Sequence, residues 1–130
     1  MNKLPVPTED QEQAALFAWA ARAACTMPEL ELLYANPNGG FRHIATAARL
    51  KQTGVKAGVP DICLPVARGP YHGLYIELKR AKGGRVSEAQ HEWIEMLIGQ
   101  NYCAMVCEGG ENAMEVIKAY LDGWLEDVRT

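Results

Sequence analysis

The sequence predicts an α/β fold in which a mixed sheet is flanked by helices. Apolar residues recur three or four positions apart in some segments, as in helices, and at every second position in others, as in strands. A short connection joins two of the strands, which predicts an antiparallel pair, and a helical crossover leads to the last strand, which predicts a parallel one. The 130 residues are predicted to form one domain over 1–130, and 48% of them are hydrophobic, enough for an ordinary core.

The first half of the chain alternates helices and strands. Thr8 and Gln11 form a capping-box pattern, which predicts a helix start. Gly54 follows a second apolar-periodic segment and predicts its end. The elements predicted here are a helix over 9–24, a strand over 31–35, a helix over 43–53 and a strand over 61–66.

The second half contains the clearest strand, LYIELK from position 74. Its leucines and isoleucine alternate with polar residues, so we expect one apolar face and an opposite face that carries Glu77 and Lys79. Ser87 and Gln90 form a second capping box. The elements predicted after the strand over 74–79 are a helix over 87–98, a strand over 102–107 and a helix that begins at Glu111.

Positive charge is concentrated in the middle of the chain. The net charge is -3, yet residues 42–85 hold nine basic residues against two acids, a net charge of +7 that leaves -10 for the remainder. Such segregation is typical of a phosphate-binding face, whereas scattered surface lysines are the alternative. The residues predicted to contact DNA are Arg42, Lys56, Arg80, Lys82 and Arg85, with solvated loop charges as the alternative for each.

The sequence contains no apolar run of membrane-spanning length, and its N-terminus lacks the apolar core of a signal peptide. We therefore expect a cytoplasmic protein, of a bacterial cell or a phage-infected host, that is not secreted. The four cysteines form no CxxC pair, so buried free thiols are favoured over a zinc site.

The two acids of the basic segment, Asp61 and Glu77, are predicted to lie on neighbouring antiparallel strands. Opposed side chains in such a pair come within about 5 Å, where two carboxylates repel unless a cation lies between them. Mg²⁺ or Mn²⁺ with oxygen ligands would satisfy the pair, and Lys79 on the same face could position or deprotonate a water. In the alternative, Glu77 and Lys79 form a solvent-facing pair and Asp61 is a turn residue.

Pro60-Asp61, fifteen intervening residues and Glu77-Leu78-Lys79 resemble the PD-(D/E)xK nuclease motif. The wider stretches NGGFR, GVKAGVPD, GLYIELKR and GGRVSEAQ, which lie between positions 38 and 90, resemble the VRR-NUC family of that superfamily. The resemblance extends over roughly 8–121 and is to the compact stand-alone members of phages and bacteria. It implies a restriction-endonuclease-like αβββαβ core.

The resemblance also implies a set of site residues. Asp61, Glu77 and the backbone carbonyl of Leu78 would bind the metal, with Lys79 as the catalytic lysine. A glutamate of the first helix would join them, and Glu12 is the candidate because it shares a helix face with apolar residues; Glu9 and Asp10 are close enough in sequence to be alternatives.

Gln90 matches a glutamine that helps to organise the site in this family, which makes it a candidate catalytic-site residue. It is also the partner of Ser87 in the capping box, so a purely structural role is the alternative.

These observations predict a divalent-metal-dependent DNA endonuclease. The resemblance implies a homodimer that acts on branched DNA, namely a four-way (Holliday) junction, for which two symmetric active sites are suited. The alternatives are a nuclease of the same fold that cuts flaps or single strands, and a catalytically silent DNA-binding module.

Overall fold

The computed structural model describes residues 5–37 and 44–123, with the side chains of 44 and 45 excepted. It contains four helices, four strands and one 3₁₀ helix over Pro28–Leu32. In chain order the elements are α1 (Glu9–Ala23), β1 (Tyr34–Ala35), α2 (Ile44–Gln52), β2 (Ile62–Leu64), β3 (Leu74–Lys79), α3 (Glu88–Gly99), β4 (Cys103–Glu108) and α4 (Gly110–Leu121). Both predicted capping boxes are present, at the starts of α1 and α3.

The strands form one mixed sheet in the order β1-β2-β3-β4. β2 pairs antiparallel with both β1 and β3, and β4 pairs parallel with β3. The predicted α/β class and strand directions are therefore confirmed. The parallel pair follows from α3, which carries the chain from the end of β3 back to the start of β4.

The strand expected over 31–35 is wrong in extent. Pro28 instead begins a 3₁₀ helix that buries Leu30, and strand pairing is limited to β1. Proline fixes its own φ near the helical value and favours the first turn of a helix, which explains why the apolar run does not start as a strand. The strand expected over 61–66 is shorter too, because Pro65 has no N–H to continue the ladder.

The core lies between the sheet and the pair α1 and α4. Leu16 of α1 and Ile117 of α4 are both fully buried in one cluster with the apolar side chains of β2 and β3. Residues of β3 that point away from this cluster are covered as well. Glu77 and Lys79 share the face opposite the apolar one, as expected. Glu77 is 1% exposed and Lys79 is 8% exposed, so the alternative of a solvent-facing pair is wrong.

Three of the four cysteines, Cys63, Cys103 and Cys107, are buried free thiols, whereas Cys25 is exposed. Burial raises the pKa of Cys103 to about 11 and that of Cys107 to about 12, which keeps both protonated. Among the described residues, no helix is both long and apolar enough to cross a membrane.

Candidate active site

Asp61 is held at one end of the sheet, immediately before the inner strand β2. The register pairs Ile62 with Ile76, and one further step along it places Asp61 opposite Glu77. Asp61 Oδ2 accepts a hydrogen bond of 3.0 Å from the backbone N–H of Leu78. Asn36 fixes the backbone of Pro60 and Asp61. Its backbone N–H donates to the Asp61 carbonyl at 2.7 Å, and its side-chain amide donates to the Pro60 carbonyl at 2.9 Å.

Glu77 is a buried acid next to another acid. Burial raises its pKa to about 8, and the charge of Asp61 acts in the same direction. Lys79 opposes the shift but does not cancel it. The pKa of Asp61 is also raised, chiefly by burial, although the hydrogen bond from Leu78 lowers it. The two carboxylates together therefore hold fewer than two negative charges near neutral pH unless a cation is added.

Lys79 and Gln90 both contact the same oxygen of Glu77. Lys79 Nζ lies 3.4 Å from Glu77 Oε1, and Gln90 Nε2 donates to that oxygen at 2.7 Å. Gln90 Oε1 accepts from the backbone N–H of Ser87 at 2.8 Å, which completes the capping box of α3. One amide thus caps α3 and orients Glu77, so the two roles considered for Gln90 coexist in its contacts.

The second oxygen of Glu77 indicates a place for a cation. Oε2 is buried and has no hydrogen-bond partner among the described residues. A buried carboxylate oxygen without a donor is costly, and the facing carboxylate of Asp61 adds repulsion. A hard divalent cation with oxygen ligands removes both costs, so the residues present fit Mg²⁺ or Mn²⁺.

Within 5–37 and 44–123, no three His, Cys, Asp or Glu side chains are grouped closely enough to hold a metal by themselves. Oxygens other than side-chain carboxylates would therefore be needed to complete a coordination shell. The carbonyl of Leu78 is placed to contribute, because a strand residue presents its N–H and C=O on the same side and the Leu78 N–H points to Asp61.

The start of α1 brings acidic residues to the same end of the sheet. Glu12 is half-buried against the start of α4, where its Oε2 would lie 2.8 Å from a Cβ added to Gly109. Gly109 is joined to the end of β3, since its N–H donates to the Lys79 carbonyl at 2.7 Å. Asp10 rather than Glu12 contributes to raising the pKa of Asp61. Among the described residues, none of the three candidates, Glu9, Asp10 and Glu12, is grouped with Asp61 and Glu77 closely enough to complete a three-ligand metal site. The helix carboxylate therefore stays a prediction.

The basic residues predicted to contact DNA occupy two separate places. Arg80 and Arg85 line a groove of about 420 Å³ whose opposite wall is formed by residues 8–10 of α1 and its N-cap. Lys56 lines another groove, beside α2. Lys82 is exposed in the turn between β3 and α3 and lines neither groove, and Arg42 lies outside the described residues.

Two positioning contacts were not anticipated from the sequence. Asn36 is held against Pro60 and Asp61, although its only sequence signal is a turn-rich setting. Gly58 packs so closely on α3 that an added Cβ would lie 2.7 Å from the Ala89 carbonyl oxygen. A positive φ of +91° at this glycine could not be inferred from the residue type alone.

Comparison with a family model and comparison with solved structures identify the same family. The family model for the VRR-NUC domain matches residues 8–111 of this chain. A solved structure named "VRR_NUC domain protein" is similar to the chain with 36% sequence identity and a TM-score of 0.80, and the match covers 98% of this chain and 99% of that one. No curated protein compared with the chain gives a significant match.

Proposed function

Because the chain belongs to the VRR-NUC domain family, which implies a nuclease of the restriction-endonuclease-like superfamily, we propose that it is a Mg²⁺- or Mn²⁺-dependent, structure-selective DNA endonuclease. The observation that carries the proposal is the carboxylate pair of Asp61 and Glu77, with one oxygen buried and without a donor among the described residues, beside the amine of Lys79.

Asp61, Glu77 and the carbonyl of Leu78 would hold the cation. When bound, the metal supplies Lewis-acid chemistry: it offsets charge on a phosphate oxygen and lowers the pKa of a water. The chain itself supplies the proton chemistry. Lys79 Nζ, 3.4 Å from Glu77 Oε1, orients the attacking water and exchanges a proton with it.

Gln90 acts as a positioning residue in this proposal. Its amide nitrogen holds Glu77 Oε1 at 2.7 Å and leaves Oε2 to face a cation. Since the amide oxygen is fixed to the backbone of Ser87, the orientation of Glu77 depends on the first turn of α3. Such outer-shell contacts fix the geometry of the groups that bind a metal.

For the substrate, we propose a four-way DNA junction cut by a homodimer. The nuclease family implies DNA, and the basic segment 42–85 supplies a surface suited to phosphates. A two-fold symmetric dimer would present one active site to each of two equivalent strands of a junction. The junction and the homodimer are what the resemblance to compact stand-alone members of the family implies.

The test is a cleavage assay with Mg²⁺ or Mn²⁺ on a four-way junction, splayed arm, flap, duplex and single strand. Lys79→Ala should lower the rate by at least about 100-fold, the typical contribution of general acid-base catalysis, while DNA affinity stays nearly unchanged. Lys118→Ala, on the exposed side of α4, is the matched control and should cut normally. EDTA should abolish cleavage.

The possible outcomes distinguish three claims: the junction substrate, the catalytic role of Lys79 and nuclease activity itself. Paired, symmetric cuts of the junction that require Lys79 and metal support a junction-resolving dimer. Metal-dependent cuts of flaps or single strands alone would retain the nuclease and reject the junction. Full activity of Lys79→Ala would overturn the mechanism, and DNA binding without any cleavage would identify a silent DNA-binding module.

A further inference from the structure

An open groove lies beside α2, away from the carboxylate pair. Its volume is about 510 Å³, within the range of small-molecule sites. One wall is the face of α2 that carries Ala47, Leu50 and Lys51, spaced by three and four residues. None of the described side chains of α2 is buried, so this face is not used by the core. The other lining residues are Pro37, Gly54, Val55, Lys56 and Ala57.

The groove is shaped by local hydrogen bonds at the end of α2. The N–H of Val55 donates to the Leu50 carbonyl at 2.9 Å, and the N–H of Gly54 donates to the Lys51 carbonyl at 3.2 Å. With Gly54 at a φ of +103°, these two bonds form a Schellman motif. The motif turns Val55 back beside Leu50, yet Val55 remains 39% exposed. An apolar surface is therefore held open to solvent by the backbone.

The charge around the groove is of one sign. Lys51 and Lys56 line it, and residues 44–60 include a third cation but no acid. Both lysines are exposed, and neither forms an ion pair with another of the described residues. Apolar walls between two cations match a nucleotide, whose base has apolar faces and whose flanking phosphates are negative.

The groove is connected to the carboxylate pair through short pieces of backbone. Pro37 follows Asn36, which donates to both Pro60 and Asp61. On the other side, Lys56 is five residues before Asp61, a separation of at most about 18 Å for a fully extended chain. A DNA strand whose phosphate lies at Asp61 and Glu77 can therefore reach the groove with a nearby nucleotide.

We propose that the α2 groove binds the base of one unpaired nucleotide of the DNA substrate, with Lys51 and Lys56 on its flanking phosphates. The inference rests on the proposed nuclease function and narrows its substrate class to DNA in which a nucleotide near the cut is unpaired, either throughout or after a base pair opens at the branch point of a junction. Bases inside a duplex cannot enter such a groove without leaving the stack.

The test couples a change in the protein to a change in the DNA. Each unpaired nucleotide of a splayed-arm DNA is replaced in turn by an abasic analogue, which removes the base and keeps the phosphate. Affinities are measured with EDTA present, so that no cleavage occurs. Ala47→Leu fills the groove from an exposed helix position, and Ala48→Leu makes the same change at the next exposed position, outside the groove lining.

For the wild-type protein, we expect one abasic position to lower affinity about tenfold, or about 1.4 kcal/mol. Ala47→Leu should bind the intact DNA correspondingly more weakly and lose the effect of that abasic position, whereas Ala48→Leu should behave as wild type. Val55→Asp tests the same groove from the loop, independently of α2, and should give the result of Ala47→Leu. Non-additive effects of a protein change and a DNA change are the signature of a shared contact.

Additive effects of Ala47→Leu and every abasic position would overturn the proposal, even if the protein cuts DNA with Mg²⁺, so the nuclease assignment would stand. Coupling at one position without any cleavage would support the groove and count against the nuclease. A change in molecular mass by light scattering with Ala47→Leu, but not with Ala48→Leu, would identify a second copy of the chain as the occupant and overturn the nucleotide assignment.

Discussion

Glu77 is a residue that folding alone does not favour. A buried carboxylate beside a second carboxylate costs free energy, and an apolar residue of similar size in a strand is often neutral or more stable. The partial compensation comes from Lys79 and Gln90, which both contact Oε1. The arrangement is understandable if the site holds a cation during function.

The pKa of Glu77 predicts an unusual pH dependence of stability. Its folded pKa of about 8 lies above the ordinary glutamate value of 4.5, so the folded state holds the proton more tightly. Without metal, the stabilisation is fully present below pH 4.5 and is lost as the pH rises through about 8. Urea unfolding in EDTA should therefore show falling stability between these values, and Glu77→Gln should flatten the curve.

Metal should reverse this trend, since a cation favours both ionised carboxylates. Mg²⁺ added at pH 7 should release protons, measurable in buffers of different ionisation enthalpy, and should raise stability. A wild-type curve in EDTA that matches the curve of Glu77→Gln would contradict the raised pKa.

The choice between Glu12 and Asp10 as the helix carboxylate can be decided by two substitutions in α1, with Asp61→Asn as the reference. Asp61→Asn removes a proposed ligand and should abolish measurable Mg²⁺ binding in calorimetry. If Glu12 is the ligand, Glu12→Gln should weaken binding by about tenfold or more, and Asp10→Asn, which removes a charge near Asp61, should weaken it less. A larger loss for Asp10→Asn than for Glu12→Gln would assign the ligand to Asp10.

At the scale of elements, the loop before β2 and helix α3 form one positioning unit. The loop carries Asp61 and α3 carries Gln90, and they meet where Gly58 approaches Ala89 and Trp93. A side chain at position 58 would have to displace a backbone carbonyl, which is much harder to move than a flexible side-chain end.

This contact predicts different results for two glycine substitutions. Gly54 and Gly58 both have positive φ values, but only at Gly58 would a Cβ meet other atoms. Gly54→Ala should cost about 1–2 kcal/mol of unfolding free energy, the penalty of a left-handed residue. Gly58→Ala should cost more and should also reduce the cleavage rate, because it shifts Asp61 relative to Gln90. Equal stability and equal cleavage rates for the two variants would show that the close contact of Gly58 with Ala89 affects neither stability nor activity.

At the scale of elements, the spacing of apolar residues predicted a helix or strand well where a single period dominated the segment. LYIELK gave β3 with its bounds, and two capping boxes gave the starts of α1 and α3. The strand over 31–35 failed because local apolar content does not distinguish a short 3₁₀ helix from a strand. The burial of both faces of β3 could not be predicted either, since the residues that cover the second face are distant in sequence.

At the scale of the whole molecule, charge separation predicts strongly salt-dependent DNA binding. The basic segment 42–85 has a net charge of +7 in a protein of net charge -3. The affinity for DNA should therefore depend on a small number of contacts between this segment and the phosphates. Lys56→Ala, Arg80→Ala and Arg85→Ala should each reduce the slope of log affinity against log salt by about 0.9. Lys118→Ala lies on α4, outside this segment, and should leave the slope unchanged.

Part of the candidate site followed from sequence because its members are close along the chain and join through one antiparallel pair. Asp61, Glu77 and Lys79 could be placed together from period and turn length alone, and the structure does bring them together. Asn36 and the α2 groove could not be predicted, because their geometry depends on a hydrogen bond across 24 residues and on a helix that the core does not bury.

Gln90 both caps α3 and contacts Glu77, and these two contacts affect which residues are kept as such a protein evolves. A lineage that lost cleavage would still benefit from the glutamine, because the start of α3 needs its capping oxygen. Glu77 has no such second benefit, and drift toward an apolar side chain would relieve a buried charge. In descendants of this chain, retention of Glu77 is therefore a much stronger sign of surviving activity than retention of Gln90.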